Sequence, residues 1–186
     1  HLLLAVTTTV FSGILGLVIL ILSWEIWMLP LLAAGCFSVW FLHIAKLGSG
    51  TLYENLCTGL MLVEFFFFSV HDFSLFDLPA VACVLILALF MINKKWIMHA
   101  IEGLYVLALL YHGLILRTIS HRMDWDDSIQ LVLGAVIVFC ASALARYWIA
   151  RRNVQRARYE HIYSELETAG KQNALFLSNV SHELRT

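Results

Sequence analysis

The chain has 186 residues, of which 61% are apolar and 13% are charged, and its mean hydropathy is +0.82. Soluble domains are about 45–50% apolar and about 25% charged, so this composition excludes a water-soluble globular domain and a disordered chain over most of the length. The formal net charge is −1, but seven of the twelve basic residues lie in the last 41 positions. This asymmetry predicts a membrane-embedded body followed by a basic tail in water.

Six apolar segments predict transmembrane helices, because about 20 mostly apolar residues cross the hydrocarbon core of a bilayer. The segments are 2–22, 24–47, 56–70, 78–92, 96–116 and 129–149. The third and fourth are short, so four or five spans remain as alternatives. We predict an all-α protein with a polytopic membrane bundle of about six spans, a sensor bundle, in residues 1–149.

The charges between the segments predict the orientation of this bundle. With six spans, Lys46, Lys94, Lys95 and the basic run after Arg146 fall on one side of the membrane. Cytoplasmic loops carry an excess of Lys and Arg, so we expect that side, and both chain ends, to be cytoplasmic. The connections on the other side are short, and we expect no folded extracellular domain among them.

Three ionisable residues inside the predicted spans are candidate sensing residues. Glu64 lies near the middle of the third span, Glu102 lies in the fifth, and His99 shares a helix face with Glu102. A charge at mid-bilayer costs about 2.5–3.5 kcal/mol or more, so such groups usually face protein or water. Two interpretations stay open, a polar or proton-responsive pocket and hydrogen bonds that only hold helices together. No two histidines are four residues apart, and we expect no metal site.

The tail beyond residue 149 predicts a cytoplasmic, coiled-coil-like signalling helix over 150–175. Alternating spacings of three and four residues place a stripe along this helix, six of whose eight members are apolar or aromatic. The stripe consists of Gln155, Tyr159, Ile162, Leu166, Ala169, Asn173, Phe176 and Val180. Such a stripe is typical of a helix that pairs with another helix. The basic run 151–158 favours the alternative, an amphipathic helix on the membrane surface.

The last eleven residues, 176–186, read F-L-S-N-V-S-H-E-L-R-T. This stretch resembles the H-box of the sensor histidine kinases of two-component systems, F-x-x-x-[VM]-S-H-E-[LI]-R-T-P, at every position that the chain contains. The order of membrane spans, pairing helix and H-box is also similar to that of the family. The resemblance implies that residues 176–186 begin the dimerisation and histidine phosphoacceptor domain.

The resemblance assigns roles to three residues of this stretch. His182 is the expected phosphoacceptor, Glu183 the acid or base beside it, and Thr186 the residue that positions water in the phosphatase reaction. The chemistry of the side chains agrees, because a neutral imidazole nitrogen is a nucleophile and an adjacent carboxylate can take up its proton. Thr186 lies four residues after His182 and therefore on the same helical face.

The family's ATP-binding domain and the second helix of its dimerisation hairpin have no counterpart in this sequence. We expect ATP and Mg²⁺ to bind in such a domain beyond Thr186, and no cofactor or metal to bind within residues 1–186. Since the chain does not begin with Met, we also expect further residues before His1. The chain would then be the sensing and transmitting part of a larger kinase and inactive by itself.

The resemblance also implies partners and a location. We expect a homodimer in the cytoplasmic (inner) membrane of a bacterium, in contact with membrane lipid, and transfer of phosphate to a response regulator or an attached receiver domain. The signal is unidentified, although short outer loops favour an apolar or amphiphilic molecule, and no nucleic acid partner is expected. The alternative functions are a small transporter or channel with a chance H-box-like tail, and a sensor of the membrane state without a bound ligand.

Overall fold

The computed structural model describes residues 2–46, 49–71, 74–116 and 125–183, and their side chains except those of 115, 116, 125–127, 178, 179 and 181–183. The regular structure of these residues is helical, which confirms the all-α class. The helices are α1 (Leu2–Leu22), α2 (Met28–Ala45), α3 (Gly50–Ser69), α4 (Leu78–Phe90), α5 (Lys95–Tyr111), a π-helical turn (His112–Leu116) and α6 (Trp125–Glu183). The chain divides into two units, His1–Arg146 and Tyr147–Thr186.

Four stretches of helix are long and apolar enough to cross a membrane. They are Leu2–Leu22, Met28–Ala45, Lys95–Leu114 and a part of Ser128–Leu177. Helix α4 has 13 residues, fewer than the about 20 that a span requires. Helix α3 has 20 residues, but Glu54 and Glu64 lower its apolar character. The count of six spans therefore stays a prediction.

Local signals in the sequence set several helix ends. The Ser49 side chain caps α3 by accepting a hydrogen bond from the backbone N–H of Leu52 at 3.2 Å. Three residues with positive φ end helices or turns between helices, because the left-handed conformation cannot continue a helix. They are Ser23 (φ 54°), Lys46 (φ 51°) and Asn93 (φ 62°). The second predicted span, expected to begin at residue 24, consequently begins at Met28.

Contacts between helices show that α1 and α2 run antiparallel and that α3 and α5 begin at the same end of the bundle. The indole N–H of Trp40, near the end of α2, donates to the Thr9 hydroxyl, near the start of α1, at 2.9 Å. The Lys94 ammonium, just before α5, lies 2.8 Å from the carboxylate of Glu54, near the start of α3. We call this end of the bundle the Lys94 end, and the opposite end, where Trp24 follows α1, the Trp24 end.

Two clusters of apolar side chains form the core between α1, α2 and α3, and α4 and α5 also bury apolar side chains, such as Leu85 and Ile101. One cluster, towards the Lys94 end, contains Leu4, Ala5, Val39, Tyr53 and Cys57. A second, towards the Trp24 end, contains Leu15, Ile19, Met28, Leu32 and Phe67. Large apolar side chains also cover the outer surface, among them Leu17, Phe37, Leu87 and Leu107, all more than half exposed. A bundle that is apolar both inside and outside fits a lipid environment better than water.

Helix α6 approaches α4 closely at Gly134. A Cβ atom at this position would lie 2.5 Å from Cγ of Pro79 and 3.5 Å from the hydroxyl of Tyr105. The ring of Pro79 cannot rotate away as an open side chain would. The contact therefore requires a residue without a side chain, as close helix contacts in membranes commonly do.

We expect Gly134→Ala to destabilise the bundle by about 1–3 kcal/mol, because the added methyl group overlaps Pro79. Thermal unfolding of the protein in detergent micelles measures this loss as a lower Tm. Gly103→Ala in α5 is the matched control, since its Cβ would meet nothing within 4 Å. Alanine is the better helix former, so the control should keep or raise the Tm. Equal Tm values for the two variants would contradict the close contact.

Candidate functional site

The expected phosphoacceptor region lies at the end of the described chain. His182 and Glu183 belong to α6, which ends at Glu183. Their side chains, and all of Thr186, lie outside the described residues. The roles assigned to these three residues therefore stay predictions.

The helix of the second unit is exposed along its length. Every residue from 151 to 177 has an exposed side chain. The apolar members of the predicted stripe up to Phe176 are among them, with Tyr159 68%, Ile162 51%, Leu166 65% and Phe176 66% exposed, whereas Val180 is half-buried. Ion pairs between residues four apart lie away from this stripe and stabilise the helix slightly: Arg156 with Glu160, and Lys171 with Glu167.

Glu64 is one of two acidic residues that the sequence places inside the membrane body, and the structure buries it completely. The hydroxyl of Ser12, on α1, donates a hydrogen bond to Oε1 of Glu64, on α3. The second carboxyl oxygen, Oε2, is buried and has no hydrogen-bond partner among the described residues. One half of this carboxyl is therefore left unsatisfied. A buried polar atom without a partner costs about 1–3 kcal/mol.

A cavity of about 230 Å³ lies beside Glu64. Its walls are four side chains of α1, Glu64 and Phe68 of α3, and three side chains of α4. All of the lining residues except Glu64 are apolar. The surface of the cavity is thus almost wholly apolar, because the carboxyl oxygens of Glu64 are buried and not exposed to it.

Glu102 makes a different kind of contact from Glu64. Its carboxylate accepts a hydrogen bond from the guanidinium of Arg146, on α6, and lies 3.2 Å from Nδ1 of His99. Arg146 also donates to the hydroxyl of Ser142 at 2.8 Å. The side chains of Glu102 and Arg146 are 13% and 26% exposed, whereas that of His99 is 63% exposed. This cluster is an ion pair between α5 and α6, with His99 at its edge.

The three predicted sensing residues therefore form two separate sites. The structure brings His99 and Glu102 together, as their spacing of three residues suggested. It joins Glu64 to α1 and Glu102 to α6. By sequence, Arg146 belongs with the basic residues of the tail, and only the structure shows it as the partner of Glu102. The sequence did contain a signal for this pairing. Arg146 lies inside the predicted span 129–149, and an arginine within a span usually pairs with an acidic group.

A further polar contact, which the sequence analysis did not single out, lies at the Trp24 end. The ring of His71 stacks on Trp24, with 3.6 Å between ring centroids and 11° between planes. Its Nδ1 lies 2.8 Å from the carbonyl oxygen of Phe67, and its Nε2 lies 2.9 Å from the carboxylate of Glu25. Both ring nitrogens thus face acceptors, an arrangement that a doubly protonated imidazolium satisfies. The hydrogen bond from His71 lowers the pKa of the Glu25 carboxyl.

Comparisons with known proteins find no relative. The chain matches no family model, no curated protein and no solved structure. Among the described residues, no group of three or more His, Cys, Asp or Glu side chains is arranged to hold a metal ion. An assignment of function therefore rests on the H-box-like stretch and on the polar groups of the bundle.

We expect the Glu102–Arg146 pair to stabilise the contact between α5 and α6. Glu102→Gln and Arg146→Gln should each lower the stability of the bundle, and the double variant should lose less than the sum. Hydrogen bonds to charged groups contribute about 1.5–3 kcal/mol, which is the coupling energy expected from this cycle. Unfolding of the detergent-solubilised protein by added SDS measures it.

The control for this cycle is the exposed pair Arg156–Glu160, whose side chains are 76% and 69% exposed. Exposed pairs on a helix couple by about 0.3–0.5 kcal/mol. A coupling energy for Glu102 and Arg146 no larger than that of the control would show that the two helices are held together by apolar packing alone.

Proposed function

We propose that this chain is the membrane sensor and signal-transmitting part of a two-component sensor histidine kinase. The observation that carries the proposal is the stretch 176–186, whose residues agree with the H-box pattern at every specified position up to Thr186. Three helical stretches of membrane-spanning length and the apolar first part of α6 precede the exposed residues 151–177 of α6, a helix that continues to Glu183, and this order of parts supports the proposal. The kinase would be autophosphorylated on a histidine and would pass the phosphate to a response regulator or an attached receiver domain.

His182 is the proposed phosphoacceptor. A neutral ring nitrogen of His182 takes the phosphoryl group, and Glu183 beside it accepts the proton that the ring loses. Thr186, four residues later in the sequence, positions the water that removes phosphate from the response regulator. ATP and Mg²⁺ would bind in a separate ATP-binding domain and supply the phosphoryl group.

The proposed orientation has the Lys94 end in the cytoplasm of a bacterium. Lys46 follows α2 at this end, and Lys94 and Lys95 precede and begin α5 there. Arg146 is at the same end, because it contacts Glu102 in the second turn of α5. Lys and Arg collect on the cytoplasmic side of membrane proteins. The charge distribution thus supports a multi-pass protein of the inner membrane, with about six spans and a cytoplasmic tail.

The proposed partner of the signalling helix is the same helix of a second copy. The exposed stripe through Tyr159, Ile162, Leu166 and Phe176 leaves large apolar side chains in water in a single chain. Parallel pairing along this stripe would bury them and would bring the two His182 residues close to a common axis. A homodimer of this kind is the arrangement that histidine kinases require.

The phosphoacceptor prediction is tested by joining the chain, after Thr186, to the rest of a dimerisation hairpin and an ATP-binding domain. With radiolabelled ATP we expect an acid-labile, base-stable phosphate that His182→Gln abolishes. Thr186→Ala should keep most of the phosphorylation and lower the phosphatase activity towards the response regulator, because its hydroxyl positions water and is not the nucleophile.

His161→Gln is the matched control, because His161 lies on the same exposed helix and its side chain is 73% exposed. It should be phosphorylated as strongly as the unchanged protein. Histidine phosphate that persists in His182→Gln would refute the assignment and leave a transporter or channel with a chance match in its tail as the better explanation.

The pairing prediction is tested with single cysteines in a protein whose four native cysteines are replaced by alanine. Cysteines at Ile162 and Leu166 should form disulfide-linked dimers in membranes readily, since both lie on the stripe. Cysteines at Glu160 and Glu167 are the controls, because these residues are 69% exposed and lie off the stripe. Non-reducing electrophoresis measures the linked fraction, and equal fractions at all four positions would exclude the stripe as the interface.

A further inference from the structure

At the Trp24 end of the bundle, His71 contacts the turn between α1 and α2. The turn contains Trp24 and Glu25, and His71 follows the last turn of α3. The imidazole stacks on the indole of Trp24, with 3.6 Å between ring centroids, and meets the ring of Phe67 in a T-shaped arrangement at 4.9 Å. The side chain of His71 is 14% exposed, and that of Glu25 is 55% exposed. His71 is thus packed among aromatic rings, next to a carboxylate in contact with the surroundings.

Both ring nitrogens of His71 face oxygen atoms that accept hydrogen bonds. Nδ1 lies 2.8 Å from the carbonyl oxygen of Phe67, one of the last four carbonyls of α3, which have no N–H donor within the helix. Nε2 lies 2.9 Å from Oε2 of Glu25. A neutral imidazole has one N–H, so it satisfies one of these contacts and turns the lone pair of its other nitrogen towards an oxygen. The protonated ring donates to both, and its charge also suits the C-terminal end of a helix.

The other neighbours of His71 that the structure describes are aromatic or uncharged. Phe68 of α3 also packs on Trp24, and the Ser74 hydroxyl donates to the carbonyl oxygen of His71. His112, at the end of α5, is the other histidine near this end of α3, and its Nε2 lies 2.6 Å from the carbonyl oxygen of Ser69. Among the described residues, Glu25 is therefore the acid in contact with the ring. Residues 72, 73 and 117–124 lie outside the described residues, so Asp72, next to His71 in the sequence, is included in the test below.

The turn that carries Glu25 has an unfavourable backbone conformation. Ser23, just after α1, has a φ of 54°, in the left-handed region that residues with a side chain rarely adopt. A conformation of this kind persists where surrounding contacts hold it. The stacking of Trp24 on His71 and the ion pair of Glu25 with His71 are two such contacts. Loss of these contacts therefore favours a rearrangement of the turn.

We propose that Trp24, Glu25 and His71 form a pH-sensitive latch, closed when His71 is protonated, that ties the turn between α1 and α2 to the end of α3. Loss of the ring proton to the solvent removes one of the two hydrogen bonds and the cation of the pair with Glu25, and so releases the turn. In the proposed orientation the latch lies on the outer side of the membrane. That its state reaches the kinase rests on the proposed function. The latch itself does not, and it is tested on this chain alone.

The direction of the pH dependence follows from the two titrating groups. The hydrogen bond from His71 lowers the pKa of the Glu25 carboxyl, so the stability that Glu25 contributes is lost as the pH falls through this lowered pKa. The stability that the protonated ring contributes is present in acid and is lost as the pH rises. The latch is therefore strongest in mild acid and opens towards alkaline pH.

The test is fluorine NMR of the chain in lipid nanodiscs, with fluorotryptophan in place of its six tryptophans. The resonance that Trp24→Phe removes belongs to Trp24, and its chemical shift responds to the charge of the ring stacked on it. We expect this resonance to change in one transition between about pH 5 and 8, the interval in which histidines commonly change their charge. His71→Gln should abolish the transition.

Two further variants identify the partner of His71. Glu25→Gln removes the carboxylate but keeps the shape, and it should move the midpoint of the transition to lower pH by about 0.2–0.7 pH units, the range expected for an exposed ion pair. Asp72→Asn is the matched control, since it removes the acid next to His71 in the sequence. It should move the midpoint less than Glu25→Gln does.

Thermal unfolding gives the sign of the effect independently. The unchanged chain should have a higher Tm than His71→Gln in mild acid, and this difference should shrink as the pH rises, because the stabilisation requires the protonated ring. Comparing the two chains at each pH removes the contributions of the other titrating groups that they share.

Three results would overturn the latch. A transition that persists in His71→Gln would place the titrating group elsewhere. A Tm difference that grows with pH would mean that the neutral ring is the form held in the contact. A shift in Asp72→Asn as large as that in Glu25→Gln would remove Glu25 as the partner. Each of these leaves the phosphorylation of His182 untouched. Conversely, loss of the kinase assignment would leave a pH-sensitive contact in a membrane protein of another function.

Discussion

The hydrogen bond between Ser12 and Glu64 joins α1 to α3 in a bundle whose helices are apolar on almost every side. In lipid, apolar side chains gain little from turning inward, so packing and polar contacts decide which helix faces meet. Two other helix pairs have contacts of the same kind. Trp40 donates to Thr9 between α2 and α1, and Arg146 donates to Glu102 between α6 and α5. These few side chains orient helices that hydrophobic periodicity alone leaves unoriented.

The two acidic residues within the apolar helices differ in burial and in their partners: Glu64 is buried, and Glu102 is partly buried. Glu102 has a cationic partner in Arg146, and the neighbouring His99 and Ser142 complete the cluster. Such a pair suits a structural role, because breaking either side leaves a buried charge alone. Glu64 has a single hydroxyl partner and one unsatisfied oxygen. Glu64 therefore depends on one hydrogen bond to α1, whereas Glu102 belongs to a charged cluster.

The second unit follows the physics of a helix in water. Charged residues four apart pair along its surface, as Arg156 does with Glu160. Its apolar residues are as exposed as its charged ones, and Leu166 is 65% exposed. A helix of this kind gains most of its stability from burying an apolar stripe against a partner. The unit is in this respect incomplete as a single chain, which agrees with the dimer that we propose.

The sequence by itself determined the all-α class, the apolar body and the polar helix after it, because composition and the spacing of apolar residues act locally. It also carried the H-box-like stretch, which depends on eleven consecutive residues and on no fold. It placed Glu64 and Glu102 in apolar helices but could not distinguish them, since both read as a single acid in an apolar run. Only the tertiary structure decided that difference. Ser12 is 52 residues from Glu64, and Arg146 is 44 residues from Glu102. Helices that are apolar all round carry no periodicity to show which faces meet. Local pattern therefore could not give these partners, the cavity between α1, α3 and α4, or the contact of Gly134 with Pro79.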